Sequence, residues 1–212
     1  MIRMILIRHG ETLWNREGRF QGQKDIPLSE AGLRQARCLS EALRSIPIDA
    51  CLSSPLSRAF DTCSLCAAPH RLAVTADPRL TEINHGRWEG MTASSVSSLD
   101  GDRLRLWHSS PEEVTMPAGE SLQDVRSRVQ SFLNDLPARY EGKTLLAAAH
   151  DAVNKVMICC MLGISLRRFW QIKQDNTCIN VLEYSGSCWR IVLLNSTAHM
   201  GCLFSSTEQK GL

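Results

Sequence analysis

The sequence has neither a long apolar segment nor a surplus of charge of one sign. Its 24 lysine and arginine residues are nearly balanced by 22 aspartate and glutamate residues, which leaves a formal net charge of +2. Domains that bind nucleic acid or lie on an anionic membrane usually carry a clear basic surplus, so neither partner is expected. No stretch approaches the roughly 20 apolar residues that a membrane-spanning helix requires.

Low-complexity linkers and internal repeats are also lacking. A hydrophobic fraction of 43% with 22% charged residues is typical of a globular protein and argues against an intrinsically disordered chain. A chain of 212 residues buries enough surface to fold without a metal or disulfide as support. We therefore expect one domain over residues 1–212.

Cysteine, by contrast, is abundant, with nine residues. The apolar run within residues 1–8 is too short for a secretory signal, so we expect a reduced, cytoplasmic protein and not a disulfide framework. Cys63 and Cys66 form a C-x-x-C pair without a second pair at zinc-ligand spacing, which favours two buried or half-buried thiols on a helix. Cys159 and Cys160 lie in an apolar run and are expected to pack in the core.

Short apolar runs alternate with amphipathic segments along the chain. The apolar runs predict strands at residues 4–7, 50–52, 144–149, 179–183 and 189–194. Helical periodicity predicts one helix that starts after an N-cap at Ser29. It predicts three more helices over residues 56–67, 121–139 and 152–162. This order predicts an α/β fold, a three-layer α/β/α sandwich with a mostly parallel central sheet flanked by helices. The segment at about 85–120 is expected to be a helical and loop excursion.

Two histidines each follow a predicted buried strand. His9 comes after the first strand within Arg8-His9-Gly10-Glu11, and His150 comes directly after Ala148-Ala149. Ligands of open α/β sheets bind beyond the carboxyl ends of the strands, so both side chains can face one crevice although 141 residues separate them. Taken singly, either histidine is more often structural; their shared placement favours a site.

Groups suited to an anion lie in the same parts of the sequence. Arg8 adjoins His9, and Arg58 lies at the start of a predicted helix that follows a strand. Forked guanidinium donors and helix N-termini are what a phosphate dianion favours. Asn15 and Gln21, in a polar loop over residues 12–22, can add neutral donors.

The motifs that carry these residues occur in an order that is typical of one family. They are LIRHGET at 6–12, GRFQG at 18–22, LSEAG at 28–32, SSPLSRA at 53–59, LTEINHGRWEG at 80–90, PAGES at 117–121 and the strand that ends at His150. Together they resemble the histidine phosphatase superfamily, the phosphoglycerate-mutase-like proteins, over most of the chain. The resemblance implies an enzyme that needs no metal and no other cofactor.

The resemblance also implies a role for each residue. His9 would be the nucleophile that carries the phosphoryl group as phosphohistidine, while Arg8, Arg58 and His150 would hold the phosphoryl oxygens. Glu82 would protonate the leaving alkoxide and then activate the water that hydrolyses phosphohistidine. Further contacts to the phosphorylated metabolite would come from Asn15, Gln21 and Gly22.

Ile83 follows Glu82 at a position where mutase-type members commonly have an arginine, which favours a phosphatase over a cofactor-dependent phosphoglycerate mutase. The segments at 82–86, 169–176 and 194–201 resemble the metal-independent phosphoserine phosphatases of the superfamily. This resemblance implies that His85 and the C-terminal segment, with His199, help to form the substrate pocket. Phosphoserine is therefore the expected substrate.

Asp151 departs from the family pattern, which often has glycine after the second histidine. Its carboxylate can cap the following helix or bind a substrate ammonium group. The segment with Asn154 and Lys155 also resembles that of α-ribazole and sugar-phosphate phosphatases. An α-ribazole phosphate, a sugar phosphate and a broad range of phosphate esters therefore stay open as substrates. Small enzymes of this fold often pair, and a homodimer is an open expectation as well.

Two other classes of protein fit the sequence less well. A catalytically silent phosphoprotein-binding domain of the same fold would be expected to have lost His9, Arg58, Glu82 or His150, and all four are present. A metallohydrolase that uses His9 and His150 as ligands would need further histidine or acidic residues at ligand spacing.

Overall fold

The structure, a computed structural model, describes residues 1–201, which form a six-stranded sheet and the helices that flank it. The strands are β1 (Ile2–Arg8), β2 (Ala50–Ser53), β3 (Val74–Ala76), β4 (Thr144–Ala149), β5 (Ile179–Ser185) and β6 (Cys188–Ser196). The α-helices are α1 (Leu13–Glu17), α2 (Glu30–Leu43), α3 (Ser57–Ala67), α4 (Ala93–Ser109), α5 (Leu122–Tyr140) and α6 (Asp151–Leu162). Short 3₁₀ turns join several of these elements.

The strand order across the sheet is β3-β2-β4-β1-β5-β6. The four strands β3, β2, β4 and β1 are parallel to one another, whereas β5 pairs antiparallel with β1 and β6 pairs antiparallel with β5. The prediction of a mostly parallel sheet is therefore confirmed. The chain connects its parallel strands through helices, as parallel pairing requires.

Both faces of the sheet are covered, because alternate side chains of β1 enter two separate cores. Met4 and Leu6 pack with side chains of α4, α5 and α6, whereas Ile5 and Ile7 pack with side chains of α2 and α3. Because both faces of β1 and β4 are buried, neither strand alternates polar with apolar residues, and each is a nearly continuous apolar run in the sequence. The three-layer α/β/α arrangement is thus confirmed.

The predicted helices agree with the structure to within a residue or two. Ser29 caps α2 by accepting a hydrogen bond from the Gly32 N–H, and Ser121 caps α5 in a reciprocal capping box with Asp124. Two elements were not predicted. The five-residue helix α1 lies in the segment that was expected to be a polar loop, and the three-residue strand β3 has one half-buried residue, Val74. Both are too short for periodicity to reveal them.

The excursion expected at about 85–120 contains the kinked helix α4 between two 3₁₀ turns. Trp88, Trp107 and Met116 are buried in the same core as α5 and α6. The kink lies at Asp100, whose backbone leaves the helical region and whose carboxylate accepts a hydrogen bond from the Trp88 indole N–H at 3.1 Å. The segment thus packs over one face of the sheet, near the carboxyl end of β4 where Ala149 belongs to this core.

The cysteines within residues 1–201 are free thiols, and Cys202 lies outside the described residues. Cys63 and Cys66 are fully buried on α3, as predicted, and burial raises the pKa of Cys66 to about 12. Cys159 is buried in the core, while Cys160 is only half-buried. None of the helices in the described part of the chain is long and apolar enough to span a membrane.

The cap of α5 provides a test of the fold away from the candidate site. Ser121→Ala removes the side chain that accepts the Asp124 N–H, so we expect the free energy of unfolding to fall by about 1 kcal/mol. Urea denaturation followed by circular dichroism measures this loss. Ser127→Ala, on the exposed face of the same helix, is the matched control and is expected to leave stability nearly unchanged. Equal losses in the two variants would show that the cap is not the source.

Candidate active site

The pairing of β1 with β4 brings the two predicted site histidines together. Arg8 lies opposite Ala149 in this parallel register, so the next residues, His9 and His150, leave the sheet side by side. The His9 N–H still donates to the Ala149 carbonyl at 3.1 Å, and the two imidazole rings have centroids 5.1 Å apart. Both side chains are buried at the carboxyl ends of their strands, where the sequence predicted a crevice.

His9 has one ring nitrogen fixed and the other free. Its Nδ1 lies 2.7 Å from the carbonyl oxygen of Gly10, which can only accept, so Nδ1 carries the proton and donates it. Burial, assisted by the positive charges of Arg58 and Arg8, holds the pKa of His9 well below its usual range. The imidazole is therefore neutral at pH 7, with a lone pair on Nε2.

His150 is neutral for the same reasons. Burial and the nearby Arg58 guanidinium lower its pKa far below the usual value. Its Nε2 lies 2.8 Å from the Ser54 hydroxyl, and its Nδ1 has no hydrogen-bond partner within residues 1–201. Ser54 belongs to the segment between β2 and α3, so this bond ties the end of β4 to the start of α3.

Arg58, the second residue of α3, is fully buried and held on two sides. Its Nη1 donates to the Lys24 carbonyl and its Nη2 to the Gly22 carbonyl, both at 2.8 Å. Burial lowers the pKa of this guanidinium to about 10, which still leaves it charged at pH 7. Arg8 donates from Nη1 to the Gln174 carbonyl at 2.5 Å. Within the described residues, the Nε of each arginine has no partner.

Gly22 has a backbone conformation in which a larger residue would be strained. Its φ of +53° lies in the left-handed region, and a Cβ there would stand 2.1 Å from Oε1 of Glu89. The segment that carries it also contributes Asn15 and Gln21, whose amide oxygens accept hydrogen bonds from Thr12. With the oxygens engaged in this way, the amide NH₂ groups are the ends left to act as donors.

The carboxyl group of Glu82 lies at the N-terminus of α6. Its Oε1 accepts from the backbone N–H of Ile83 at 2.9 Å and of Val153 at 3.3 Å, and its Oε2 accepts from that of Ala152 at 3.3 Å. Burial is the largest influence and the Asp151 carboxylate the next, and together they raise the pKa of Glu82. The group is thus shifted toward the protonated form, which a general acid needs.

Asp151 does not cap α6, which corrects one of the two roles that the sequence left open for it. It is the first helical residue, and its carboxylate faces Lys155 Nζ at 2.8 Å and Arg8 Nη1 at 3.7 Å. The N-cap residue is His150, which makes no side-chain capping bond. Glu82, from a distant loop, accepts the free N–H groups at this helix start instead.

The two histidines that were expected to shape the substrate pocket differ in burial. His85 is only 3% exposed and packs between the rings of Phe20 and Trp107, at centroid distances of 5.1 and 6.1 Å. Burial lowers its pKa to about 3, so it is neutral. His199 is half-buried, with Nε2 at 3.3 Å from the hydroxyl of Thr177, whose N–H in turn donates to the His9 carbonyl.

Sequence reasoning missed one supporting residue in the centre of the site. The Thr62 hydroxyl accepts the Gly10 N–H at 3.1 Å and donates to the Arg58 carbonyl at 2.7 Å, so it connects the loop after β1 to α3. Its only signal in the sequence is its spacing of four residues after Arg58, on the same side of the helix. Asn176, by contrast, lies in a segment that the sequence marked, and its side chain donates to the His9 carbonyl at 3.1 Å.

Comparisons with known proteins agree with this geometry. Residues 4–197 match the family model of the histidine phosphatase superfamily (branch 1). The chain is 36% identical over 201 residues to "Phosphoserine phosphatase 1" of Hydrogenobacter thermophilus, with 95% of each protein covered. It is 32% identical over 189 residues to "Probable phosphoglycerate mutase GpmB" of Enterobacter sp. (strain 638), with 89% of this chain and 88% of the relative covered.

A solved structure extends the comparison to the fold. A phosphoserine phosphatase mutant of Entamoeba histolytica, in complex with phosphoserine, superposes with a TM-score of 0.85 at 29% identity, over 94% of this chain and 100% of that one. The protein belongs to the histidine phosphatase superfamily. It is a phosphatase, as its motifs predicted.

Three buried neutral histidines should make stability depend on pH. His9, His85 and His150 have depressed pKa values in the folded protein, so unfolding below about pH 6.5 takes up protons and stability falls as the pH decreases. For His85 the window runs from about pH 6.5 down to its folded pKa of about 3. Between pH 6 and pH 5, His85 alone should lower the free energy of unfolding by about 1.2 kcal/mol per pH unit.

His85→Phe and His85→Gln isolate the contribution of His85 to the pH dependence of stability, because both substitutions remove the titrating ring. Urea unfolding at pH 5, 5.5 and 6 should show the slope of each variant lower than that of the wild type by that amount. The two variants differ in how they fill the space beside Phe20, so their absolute stabilities need not agree. Slopes equal to the wild type in both variants would mean that His85 takes up a proton while folded.

Proposed function

We propose that the protein hydrolyses phosphoserine through a phosphohistidine intermediate on His9. One observation carries the proposal. The Nδ1–H of His9 is bound to the Gly10 carbonyl, so Nε2 keeps its lone pair, and Arg8, Arg58 and His150 lie close to this ring. A neutral nitrogen nucleophile beside fixed positive charges is what attack on a phosphate dianion requires.

In the first step Nε2 of His9 attacks phosphorus, and a P–N bond forms as the P–O bond of the ester breaks. The electron pair of that P–O bond leaves with the serine oxygen, which takes the proton of Glu82. The raised pKa of Glu82 supports its role as the acid. Its place at the start of α6 also lets the carboxylate that remains keep its N–H donors.

In the second step water attacks the phosphorus of phosphohistidine. The Glu82 carboxylate takes a proton from this water, the P–N bond breaks and its electron pair returns to Nε2 of His9. Inorganic phosphate and the starting forms of His9 and Glu82 result. One carboxyl group can serve both steps because it ends the first step in the form that the second step needs.

The charge that develops on the phosphoryl oxygens needs donors that are already in place. Arg58 is held by two carbonyls and Arg8 by one, so neither guanidinium has to reorganise during the reaction. The Nε atoms of both arginines and Nδ1 of His150, which lack a partner within residues 1–201, are buried donors or acceptors close to His9. The amide NH₂ groups of Asn15 and Gln21 are proposed as neutral contacts.

The choice of phosphoserine rests on similarity. The relative in Hydrogenobacter thermophilus is named for this activity, and the Entamoeba histolytica structure contains phosphoserine. His85 and His199 are proposed to contact the serine part of the substrate, and the bond from His199 to Thr177 supports a position close to His9. A phosphoglycerate mutase is the second candidate, because one relative carries that name.

His9→Ala tests the nucleophile. We expect phosphate release from phosphoserine to fall by about 10⁴-fold or more, since no other group can replace the attacking nitrogen. His70→Ala, on a 3₁₀ turn after α3, is the control and should retain activity. Quenching turnover in alkali should trap an acid-labile phosphoryl group on the wild type and none on His9→Ala. Activity equal to the wild type in His9→Ala would overturn the mechanism.

The substrate is tested by measuring kcat/KM, in EDTA, for phosphoserine, 3-phosphoglycerate, a sugar phosphate and an aryl phosphate. Phosphoserine should lead the others by about tenfold, a difference of about 1.4 kcal/mol in transition-state binding. A lead by the sugar or aryl phosphate would leave the phosphohistidine chemistry standing and reject the substrate. Isomerisation of 3-phosphoglycerate that depends on added bisphosphoglycerate would favour the mutase.

Glu82→Gln separates the acid role from simple binding. An alkoxide leaving group needs a proton, so kcat/KM for phosphoserine should fall by about 10²–10³-fold. The 4-nitrophenolate ion leaves without protonation, so kcat/KM for 4-nitrophenyl phosphate should fall by less than about tenfold. Glu113→Gln, an exposed carboxylate, is the control. Equal losses for both substrates would show that Glu82 does not act as the acid.

Two broader expectations stay predictions. The cytoplasmic location rests on the sequence alone. A homodimer is compatible with β6, which lies at an edge of the sheet and exposes Val192, Leu193 and Leu194. Light scattering of the purified protein measures its oligomeric state.

A further inference from the structure

A buried ion pair lies next to the candidate active site without a part in the mechanism above. Asp151 and Lys155 are one helical turn apart on α6, with 2.8 Å between Oδ2 and Nζ. Lys155 is fully buried, and its Nζ lies 4.8 Å from the ring centroid of Phe169 and 4.5 Å from that of Trp170. Both rings present faces that stabilise a cation. Burial lowers the pKa of Lys155, while the Asp151 carboxylate and the two rings favour its charged form and offset part of that effect.

The other side of Asp151 faces residues of the proposed mechanism. Its Oδ1 is 3.7 Å from Nη1 of Arg8. The next two backbone N–H groups along the helix, those of Ala152 and Val153, donate to the Glu82 carboxyl group. Asp151 therefore shares one helix start with Glu82 and lies beside Arg8. A carboxylate is unexpected next to a pocket for a phosphate dianion, which it repels.

The charges around Glu82 come from several elements. Arg58 of α3 favours the ionised form, as do the N–H groups at the start of α6. Arg128 of α5 donates to the Glu82 main-chain carbonyl and is itself paired with Glu120. His9, His85 and His150 are neutral neighbours. Asp151 opposes the ionisation of Glu82, while the Lys155 ammonium, which pairs with Asp151, attracts both carboxyl groups.

We infer that Asp151, held in place by Lys155, is a positioning residue that favours the protonated form of Glu82 and that orients Arg8. The inference rests on the proposed function, in which Glu82 is the general acid. The inference gives a role to Asp151, which follows His150 at a position where the family often has glycine. It also leaves Asp151 committed to Lys155 and Arg8, and not to a substrate ammonium group.

The pH dependence of kcat/KM for phosphoserine tests this inference. The alkaline limb of that profile should report the loss of the Glu82 proton from the free enzyme. Asp151→Asn removes the opposing charge with little change of shape, so the limb should move to lower pH by roughly half a unit or more. Lys155→Met removes the compensating cation and should move the limb to higher pH. Asp102→Asn, an exposed carboxylate of α4, should not move it.

The double variant Asp151→Asn/Lys155→Met guards against misfolding, since it leaves no unpaired charge in the core. Its limb should lie between those of the wild type and Asp151→Asn. The limb is the deciding measurement, because a purely structural loss would lower kcat/KM at every pH and lower the melting temperature. The profile for 4-nitrophenyl phosphate, whose leaving group needs no proton, should lack these shifts in all variants.

Two results would overturn the inference. One is an alkaline limb that stays at the wild-type pH in both Asp151→Asn and the double variant. The other is a rise in KM for phosphoserine, but not for 3-phosphoglycerate, with the limb unmoved, which would assign Asp151 to the substrate ammonium group. Failure of the proposed function is recognised separately, since the wild type would then lack an alkaline limb with phosphoserine or His9→Ala would remain active.

Discussion

The parallel hydrogen-bond ladder between β1 and β4 determines where the reactive groups of this protein lie. Because Arg8 and Ala149 are partners in it, His9 and His150 leave the sheet at the same height, although the chain between them includes most of the fold. A change of register by one residue would turn one imidazole toward the opposite core. The apolar residues of both strands prevent this, since each is committed to one of two cores.

The histidines do not supply the positive charge of the site. Burial keeps His9 and His150 neutral, while the two arginines stay charged; the pKa of Arg58 is lowered only to about 10. The division is useful for chemistry at phosphorus, because the attacking atom keeps its lone pair and the field that attracts the dianion comes from groups that cannot lose their protons at neutral pH. The guanidinium of Arg58 is costly to bury, and the carbonyls of Gly22 and Lys24 offset part of that cost.

Much of the fold is encoded locally and could be predicted from the sequence. Buried strands such as β1 and β4 appear as apolar runs, and caps such as Ser29 appear as single residues before a periodic segment. The motifs also located His9, Arg58, Glu82 and His150, which the structure brings together. The short elements α1 and β3 could not be predicted, because neither is long enough to show a periodicity and β3 depends on pairing with β2.

The same limit explains why one of the two roles left open for Asp151, the helix cap, is wrong. A carboxylate at the start of a helix usually caps it, and nothing near Asp151 in sequence says that Glu82 already occupies the free N–H groups. Residues that act through tertiary contacts, such as Thr62 between the Gly10 N–H and the Arg58 carbonyl, leave an equally weak trace. Sequence patterns identify groups by type and spacing; the competition between groups for one donor is visible only in three dimensions.

The position of the Glu82 carboxyl group at the start of α6 also affects the release of its proton. The N–H groups that hold its carboxyl bind an anion more strongly than a neutral acid, because the helix start carries partial positive charge. These hydrogen bonds stabilise the ionised form of Glu82 and so reduce the free energy needed to release its proton. The Asp151 carboxylate has the opposite effect and increases that free energy. Two features of the same helix start therefore act on the Glu82 carboxyl group in opposite directions, and with burial the net effect is a raised pKa. A group in that condition can release a proton and regain one without any movement of the backbone around it.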